Sequence, residues 1–280
     1  MRLRSLLFVP GDRPDRMLKA LGVGADALIL DLEDSVAPAA KTEARRAVAA
    51  FVEANAAAKL WVRVNPLDSA EIDKDLAAIL PAQPDRIVLP RAEGGASVAG
   101  LARRLSERGN ATAQIMAIAT ETPAAMFQLG SYGGVKRLAA LTWGAEDLPA
   151  AIGASTSRDP DGRFTAPYEL ARSLCLFGAA AAGVLPIETV YPDFRDLAGL
   201  EAYAGRARRD GFAGMMAIHP DQVPIINAAF TPSAEELAHA RAVVAAFDAN
   251  PQAGALALDG RMIDRPHLVQ AQRILALAGE

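Results

Sequence analysis

Among its 280 residues the chain has a single cysteine, Cys175, so neither an intramolecular disulfide framework nor a cysteine-built zinc cluster is open to it. That usage fits a reducing, cytoplasmic setting. Histidine is scarce too: His219, His239 and His267 stand 20 and 28 residues apart without an HxxxH spacing, which argues against a histidine-built metal site. Any metal here would have to be held by oxygen. There is no basic excess, with 29 Lys and Arg against 33 Asp and Glu. The densest basic spots, Arg103-Arg104 and Arg206-Ala207-Arg208-Arg209, are short and lack interleaved aromatics, so they read as solvated helix faces, and no nucleic-acid partner is expected. No segment approaches the roughly 18 uninterrupted apolar residues that a membrane span needs. Arg2 and Arg4 before Leu6-Leu7-Phe8-Val9 imitate the start of a signal peptide, but the apolar run stops at Pro10-Gly11-Asp12.

What remains is an ordinary globular composition, 51% apolar and 22% charged, with a net charge of -4. Eight short aliphatic runs bounded by turn residues read as strands: 3–9, 27–32, 60–64, 86–89, 113–119, 140–143, 184–190 and 214–218. Between them lie Ala-rich stretches such as 41–54, 69–80, 97–108 and 123–129, with apolar residues at helical spacing. Strand starts fall 24 to 44 residues apart, the size of a βα unit, and eight such units close a parallel barrel. The expected fold is therefore an α/β (β/α)8 TIM barrel. An open doubly wound sheet is the alternative, but no GxGxxG follows the first strand. The longest unit carries a polar, turn-rich stretch at 155–163 that looks like a functional loop.

The barrel is expected over residues 1–230 as the catalytic domain, with 231–280 as a small C-terminal lid. Ser233 and Glu236 form a capping-box pattern at the start of a helix. Residues 255–264 then read as a hairpin turning at Asp259-Gly260, followed by a last helix from about Pro266.

In a parallel barrel, catalytic groups project from the C-terminal strand ends. Polar residues gather there: Asp31-Leu32-Glu33-Asp34, Arg63-Val64-Asn65, Arg91, Thr120-Glu121-Thr122, Glu146-Asp147, Glu188 and His219. Glu121 and Asp147 end adjacent strands, so their carboxylates can converge, and two anions placed together need a cation or a shared proton. With oxygen donors alone, the fitting ion is Mg²⁺. Arg63 would face it, able to grip a carboxylate or stabilise an oxygen gaining charge; an ion pair with Asp31 or Glu33 is the structural alternative. Cys175, on a helix with no histidine nearby in sequence, reads as core packing, whereas for His219 a ligand contact and a structural hydrogen bond stay open. These residues point to a Mg²⁺-dependent enzyme acting on an anionic, oxygen-rich small molecule.

Six motifs then stand together: Arg4-Ser5-Leu6-Leu7-Phe8-Val9-Pro10-Gly11, Asp31-Leu32-Glu33-Asp34-Ser35-Val36-Ala37-Pro38 with Lys41 and Arg45, Arg63-Val64-Asn65-Pro66, Glu121-Thr122-Pro123, Gly144-Ala145-Glu146-Asp147-Leu148 and Ala217-Ile218-His219-Pro220. In order and spacing they resemble the HpcH/HpaI aldolase and citrate lyase beta-subunit (CitE-like) family, over essentially the whole chain. The resemblance implies a barrel, Mg²⁺, acyl-CoA and 2-oxo acid partners, and a homotrimer or hexamer. It implies a carbon–carbon lyase that cleaves a citryl-, malyl- or citramalyl-CoA type substrate to acetyl-CoA and a 2-oxo acid. A malyl-CoA thioesterase, or an accessory acyl-CoA-binding subunit of a citrate lyase complex, is the alternative. Carried over by position, Glu121 and Asp147 match the metal ligands and Arg63 the enolate-stabilising arginine. Phe8, Arg13, Lys19, Ile218 and His219 match positions lining the substrate and CoA site. Asp259 matches the aspartate that completes a neighbouring subunit's site. One departure is Leu89-Pro90-Arg91, where family members commonly carry lysine: the charge is kept, but a planar fork replaces a compact amine.

Overall fold

The computed structural model describes residues 2–279. Eight parallel strands form a closed ring: Ser5–Pro10 (β1), Ala27–Asp31 (β2), Leu60–Arg63 (β3), Arg86–Leu89 (β4), Gln114–Ile118 (β5), Leu138–Thr142 (β6), Leu185–Glu188 (β7) and Gly214–Ala217 (β8). β1 closes the ring on β8, with Leu6 opposite Met216. The fold is thus the TIM barrel, and the open sheet is excluded. The first eight helices, running between the strands, are Pro14–Ala20 (α1), Lys41–Ala54 (α2), Ile72–Ile79 (α3), Gly95–Glu107 (α4), Pro123–Met126 (α5), Asp147–Ile152 (α6), Ala166–Ala182 (α7) and Leu197–Asp210 (α8); Gln222–Ala229 (α9) follows β8. Among the described residues, no helix is long and apolar enough to cross a membrane.

Alternation along each strand decides what reaches the mouth. Side chains two apart share a face, and Leu6, Ile29, Trp61, Val88, Met116, Ile118, Ala140, Ile187 and Met216 fill the barrel interior. Two residues beyond an interior position the next inward side chain stands at the C-terminal rim. That parity brings Phe8, Asp31 and Arg63 inward, and the register sets Pro10 opposite Asp31 and Asp31 opposite Arg63. Outside, α2 lays Ala44, Val48 and Val52 and α4 lays Val98, Leu101 and Leu105 against the strands, and burying each large aliphatic side chain contributes about 1.5–3 kcal/mol.

The same parity corrects the expected rim at β7. Ile187 points inward, so Glu188 turns outward to the helices, fully buried. Its carboxylate accepts from Arg172 Nε at 2.7 Å, the Tyr203 hydroxyl at 2.9 Å, the Thr189 backbone N–H at 2.9 Å and the Trp143 indole N–H. Arg172 also donates to Asp210 at 2.6 Å. Beside this cluster the 155–163 stretch folds back through a bridge between Arg158 and Phe164. The Arg158 guanidinium lies 3.8 Å over the Phe164 ring, which packs edge-on to Trp143 at 5.0 Å.

Residues 3–227 make up one compact unit, and residues 228–279 with Arg2 make up another. Within the second, Ala234–Asp248 (α10) opens on the capping box between Ser233 and Glu236 that the sequence predicts. Ala255–Leu258 (β9) and Arg261–Asp264 (β10) pair antiparallel, and Arg265–Ala278 (α11) follows. Val243, Phe247, Ile263 and Ala271 form its core. Asp259 and Gly260 both take positive φ, +50° and +74°, the backbone that a two-residue hairpin turn requires.

Removing one partner of the buried Arg172–Glu188 pair leaves an uncompensated charge, so Glu188→Ala should lower unfolding stability by about 3–5 kcal/mol. Urea titration checks this against Asp73→Ala, which breaks only the surface contacts with Arg108 and Arg104 and should cost no more than about 0.5 kcal/mol.

Candidate active site

Arg63 is the most heavily engaged group at the mouth. Its Nε and Nη2 donate to the two oxygens of Asp31, both at 2.7 Å, a fork-on-fork pair set by their opposition across β2 and β3. Nη1 stands 3.0 Å from Glu33 Oε2 and 3.6 Å from Asp34 Oδ2. The Phe8 ring lies 4.8 Å beneath the guanidinium carbon. The structural alternative for Arg63, an ion pair with Asp31 or Glu33, is therefore present, and the same side chain still lines the mouth cavity. Burial opposes the charge on Asp31, yet Arg63 and the backbone N–H groups of Glu33 and Ser35 hold its carboxyl below the usual range. Glu33 lacks such support: Oε2 is buried without a hydrogen bond, and burial raises the carboxyl to about 8 against the pull of Arg63.

Across the cavity, Glu121 follows β5 and Asp147 opens α6. Gly144 allows the approach, because a Cβ there would meet Glu121 Cγ at 2.6 Å. Burial raises the Glu121 carboxyl to about 7, with the charge of Asp147 adding to the effect, although the Arg91 backbone N–H donates to Oε2 at 2.6 Å. Arg91 reaches the second carboxylate as well, Nη2 lying 3.5 Å from Asp147 Oδ1. Two carboxylates held close, one of them buried, form a donor set short of positive charge. Among the described residues no three His, Cys, Asp or Glu side chains converge on one metal position. A two-carboxylate site suits a hard cation that takes its other oxygens from water and substrate.

Arg63, Glu121 and Asp147 share one cavity of about 350 Å³, walled by Phe8, Ile118, Val190, Met216 and Ile218. Phe8 and Ile218 also border a second cavity of about 530 Å³, lined by Arg13, Arg16, Lys19 and His219. The eight barrel residues expected from sequence thus fall into two adjoining hollows. Asp259, on the β9–β10 turn, belongs to the other compact unit. Cys175 is fully buried on α7, where burial raises its thiol. His219 stacks on Phe194 at 4.9 Å, and its Nδ1 accepts from the Asp221 N–H at 3.3 Å. Sequence reasoning missed Arg16 and Phe194. The three-residue spacing from Arg13 through Arg16 to Lys19 could have revealed Arg16, whereas nothing local marked Phe194.

A family match runs over residues 4–220, to HpcH/HpaI aldolase/citrate lyase. The chain belongs to that family. It is 38% identical over 274 residues to the citrate lyase subunit beta-like protein of Mycobacterium tuberculosis, covering 98% of this chain and 95% of the relative. A (3S)-malyl-CoA thioesterase of Cereibacter sphaeroides is 32% identical over 98% of this chain and 94% of its own length. The mitochondrial citramalyl-CoA lyase of Rattus norvegicus is also 32% identical, over 98% and 86%. Among solved structures, CitE from Mycobacterium tuberculosis in complex with magnesium, acetoacetate and coenzyme A superposes with a TM-score of 0.84 at 36% identity, covering 99% of this chain and 98% of that one.

In this HpcH/HpaI protein, Glu33 prefers its proton in the fold. A carboxyl raised from 4.5 to about 8 contributes stability that is full below its unfolded value and is lost as pH rises through about 8. In chelator, the melting temperature of the wild type relative to Glu33→Gln should therefore fall between about pH 5 and pH 9. A flat difference in calorimetric scans contradicts the assignment.

Proposed function

We propose that the chain is a magnesium-dependent carbon–carbon lyase, cleaving a 3-hydroxyacyl-CoA that bears a second carboxylate into acetyl-CoA and a 2-oxo acid. The observation that carries this reading is the convergence of Arg63, Glu121 and Asp147 in one apolar-walled cavity at the barrel mouth, beside a hollow lined by Arg13, Arg16 and Lys19. Glu121 and Asp147 would hold the ion. When bound, magnesium supplies the positive charge that polarises the hydroxyl and carboxylate of the oxo-acid half. Arg63 stabilises the oxyanion of the departing enolate: the bidentate grip of Asp31 fixes its plane, and its Nη1 edge is the part nearest Glu33 and Asp34. Phe8 and Ile218, bordering both hollows, would seat the thioester between them. Arg13, Arg16 and Lys19 present three cations suited to the phosphates of a CoA moiety, and His219 lines the same hollow.

Asp259 would carry a proton to or from the enolate carbon in a neighbouring copy of the chain, within an assembly of three or six. Mixing inactive Arg63→Ala and Asp259→Ala subunits should then restore part of the activity, and verified mixed oligomers that stay inactive contradict the trans role.

Thioester hydrolysis is the second reading, favoured by the resemblance to the malyl-CoA thioesterase. One reaction separates the two: malyl-, citramalyl- and citryl-CoA are each incubated with magnesium, and oxo acid, acetyl-CoA and free CoA are followed together. Equal oxo acid and acetyl-CoA support the lyase, whereas free CoA with intact hydroxy acid supports the thioesterase. Inertness toward all three overturns both. Arg63→Ala should lower lyase turnover by about 10²-fold or more.

A further inference from the structure

The cations around the mouth differ in how far their donors are already used. Arg63 is forked onto Asp31 and faces Glu33 and Asp34. Lys41 Nζ donates to the Leu32 carbonyl at 2.8 Å, the Glu33 carbonyl at 3.0 Å and Asn65 Oδ1 at 2.9 Å, one acceptor for each of its three N–H groups. Arg91 is different. Its side chain is 47% exposed, and its one polar contact among the described residues is the 3.5 Å approach to Asp147 Oδ1. It borders a cleft of about 480 Å³, lined also by Glu33, Asp34, Lys41 and Asn65.

The backbone of Arg91 has a separate task. Its φ of +49° lies in the left-handed region, and its N–H donates to Glu121 Oε2 at 2.6 Å. Glycine or asparagine would perform that task with less strain. A long cationic side chain at this position therefore needs its own explanation, and the packing supplies none. The contact with Asp147 Oδ1 is long and engages one Nη2 N–H, and Asp147 keeps acceptor sites for an ion. Among the described residues the guanidinium's remaining donors have no protein acceptor, and they stand beside Asp147 while the Arg91 backbone holds Glu121.

Resting on the lyase reading above, we propose that Arg91 binds the second carboxylate of a dicarboxylic 2-oxo acid, so that the site selects an oxo acid ending in carboxylate over one ending in methyl. The guanidinium offers paired N–H donors that match a carboxylate edge, and it extends from the same rim position whose backbone fixes Glu121.

Oxaloacetate and pyruvate differ by that carboxylate alone, and calorimetry of each with the intact protein in magnesium reads the difference without requiring turnover. Freshly dissolved oxaloacetate should bind about 10- to 100-fold tighter than pyruvate, the range for a hydrogen bond to a charged group. Arg91→Gln keeps the backbone N–H on Glu121 and should bring the ratio close to one. Arg91→Lys should give an intermediate ratio, since a point charge attracts without forking. A wild-type ratio near one, or a ratio that survives in Arg91→Gln, overturns the assignment to Arg91 while leaving the lyase reading intact. Binding of neither oxo acid to the wild type overturns both.

Discussion

One guanidinium set against three carboxylates governs the mouth of this barrel. The β2–β3 register places Asp31 opposite Arg63, and the loop after β2 adds Glu33 and Asp34 within 3.6 Å of the same side chain. Adding Glu121 and Asp147 across the cavity makes five carboxylates, with Arg63 and Arg91 as the cations touching them there. Burial raises both Glu33 and Glu121, and the like charges that share this partly desolvated hollow add to the effect. The site is short of positive charge by construction, and a divalent ion with an anionic, chelating ligand is the chemistry that restores the balance.

The scaffold makes this imbalance tolerable. Asp31 and Glu33 are anchored at the end of strands whose interiors are filled with Leu6, Ile29, Trp61 and Met116, so the rim cannot relax by moving apart. Lys41, Asn65, Asp75 and Arg45 form a continuous hydrogen-bonded buttress beneath the β2 and β3 ends. On the opposite side Glu188 and Arg172 tie β7 to α7, while Trp143, bonded to the same carboxylate, holds the end of β6 from which Gly144 and Asp147 continue. Rigid support of this kind keeps catalytic groups in place without reorganisation during the reaction.

Much of this was legible in the sequence. The eight aliphatic runs and their spacing suffice for the barrel, because a fully buried parallel strand needs little beyond apolar content and a turn at each end. Glu121, Asp147 and Arg63 were legible as charges at the ends of such runs. Their partners were harder to read. Glu188 occupies the same sequence position relative to its strand as the true rim residues, and only the inward parity of Ile187 reveals that it faces the helices. β6 begins at Leu138, two residues before the expected start, because the Arg137-Leu138 junction carries a charge that masks the strand. Arg91's backbone bond to Glu121 depends on a positive φ that no local residue pattern announced. The pairing of His219 with Phe194 joins separate loops, which short-range spacing does not encode.

The most direct test of the charge argument is a magnesium titration by calorimetry on the intact chain, repeated on Glu121→Gln and Asp147→Asn. These variants keep side-chain volume and remove one negative charge each. One magnesium bound per chain in the wild type, and weakened at least about tenfold in each variant, is the expected result. Binding that persists undiminished in both variants, or an intact protein that takes up no magnesium even with an oxo acid present, would contradict the account.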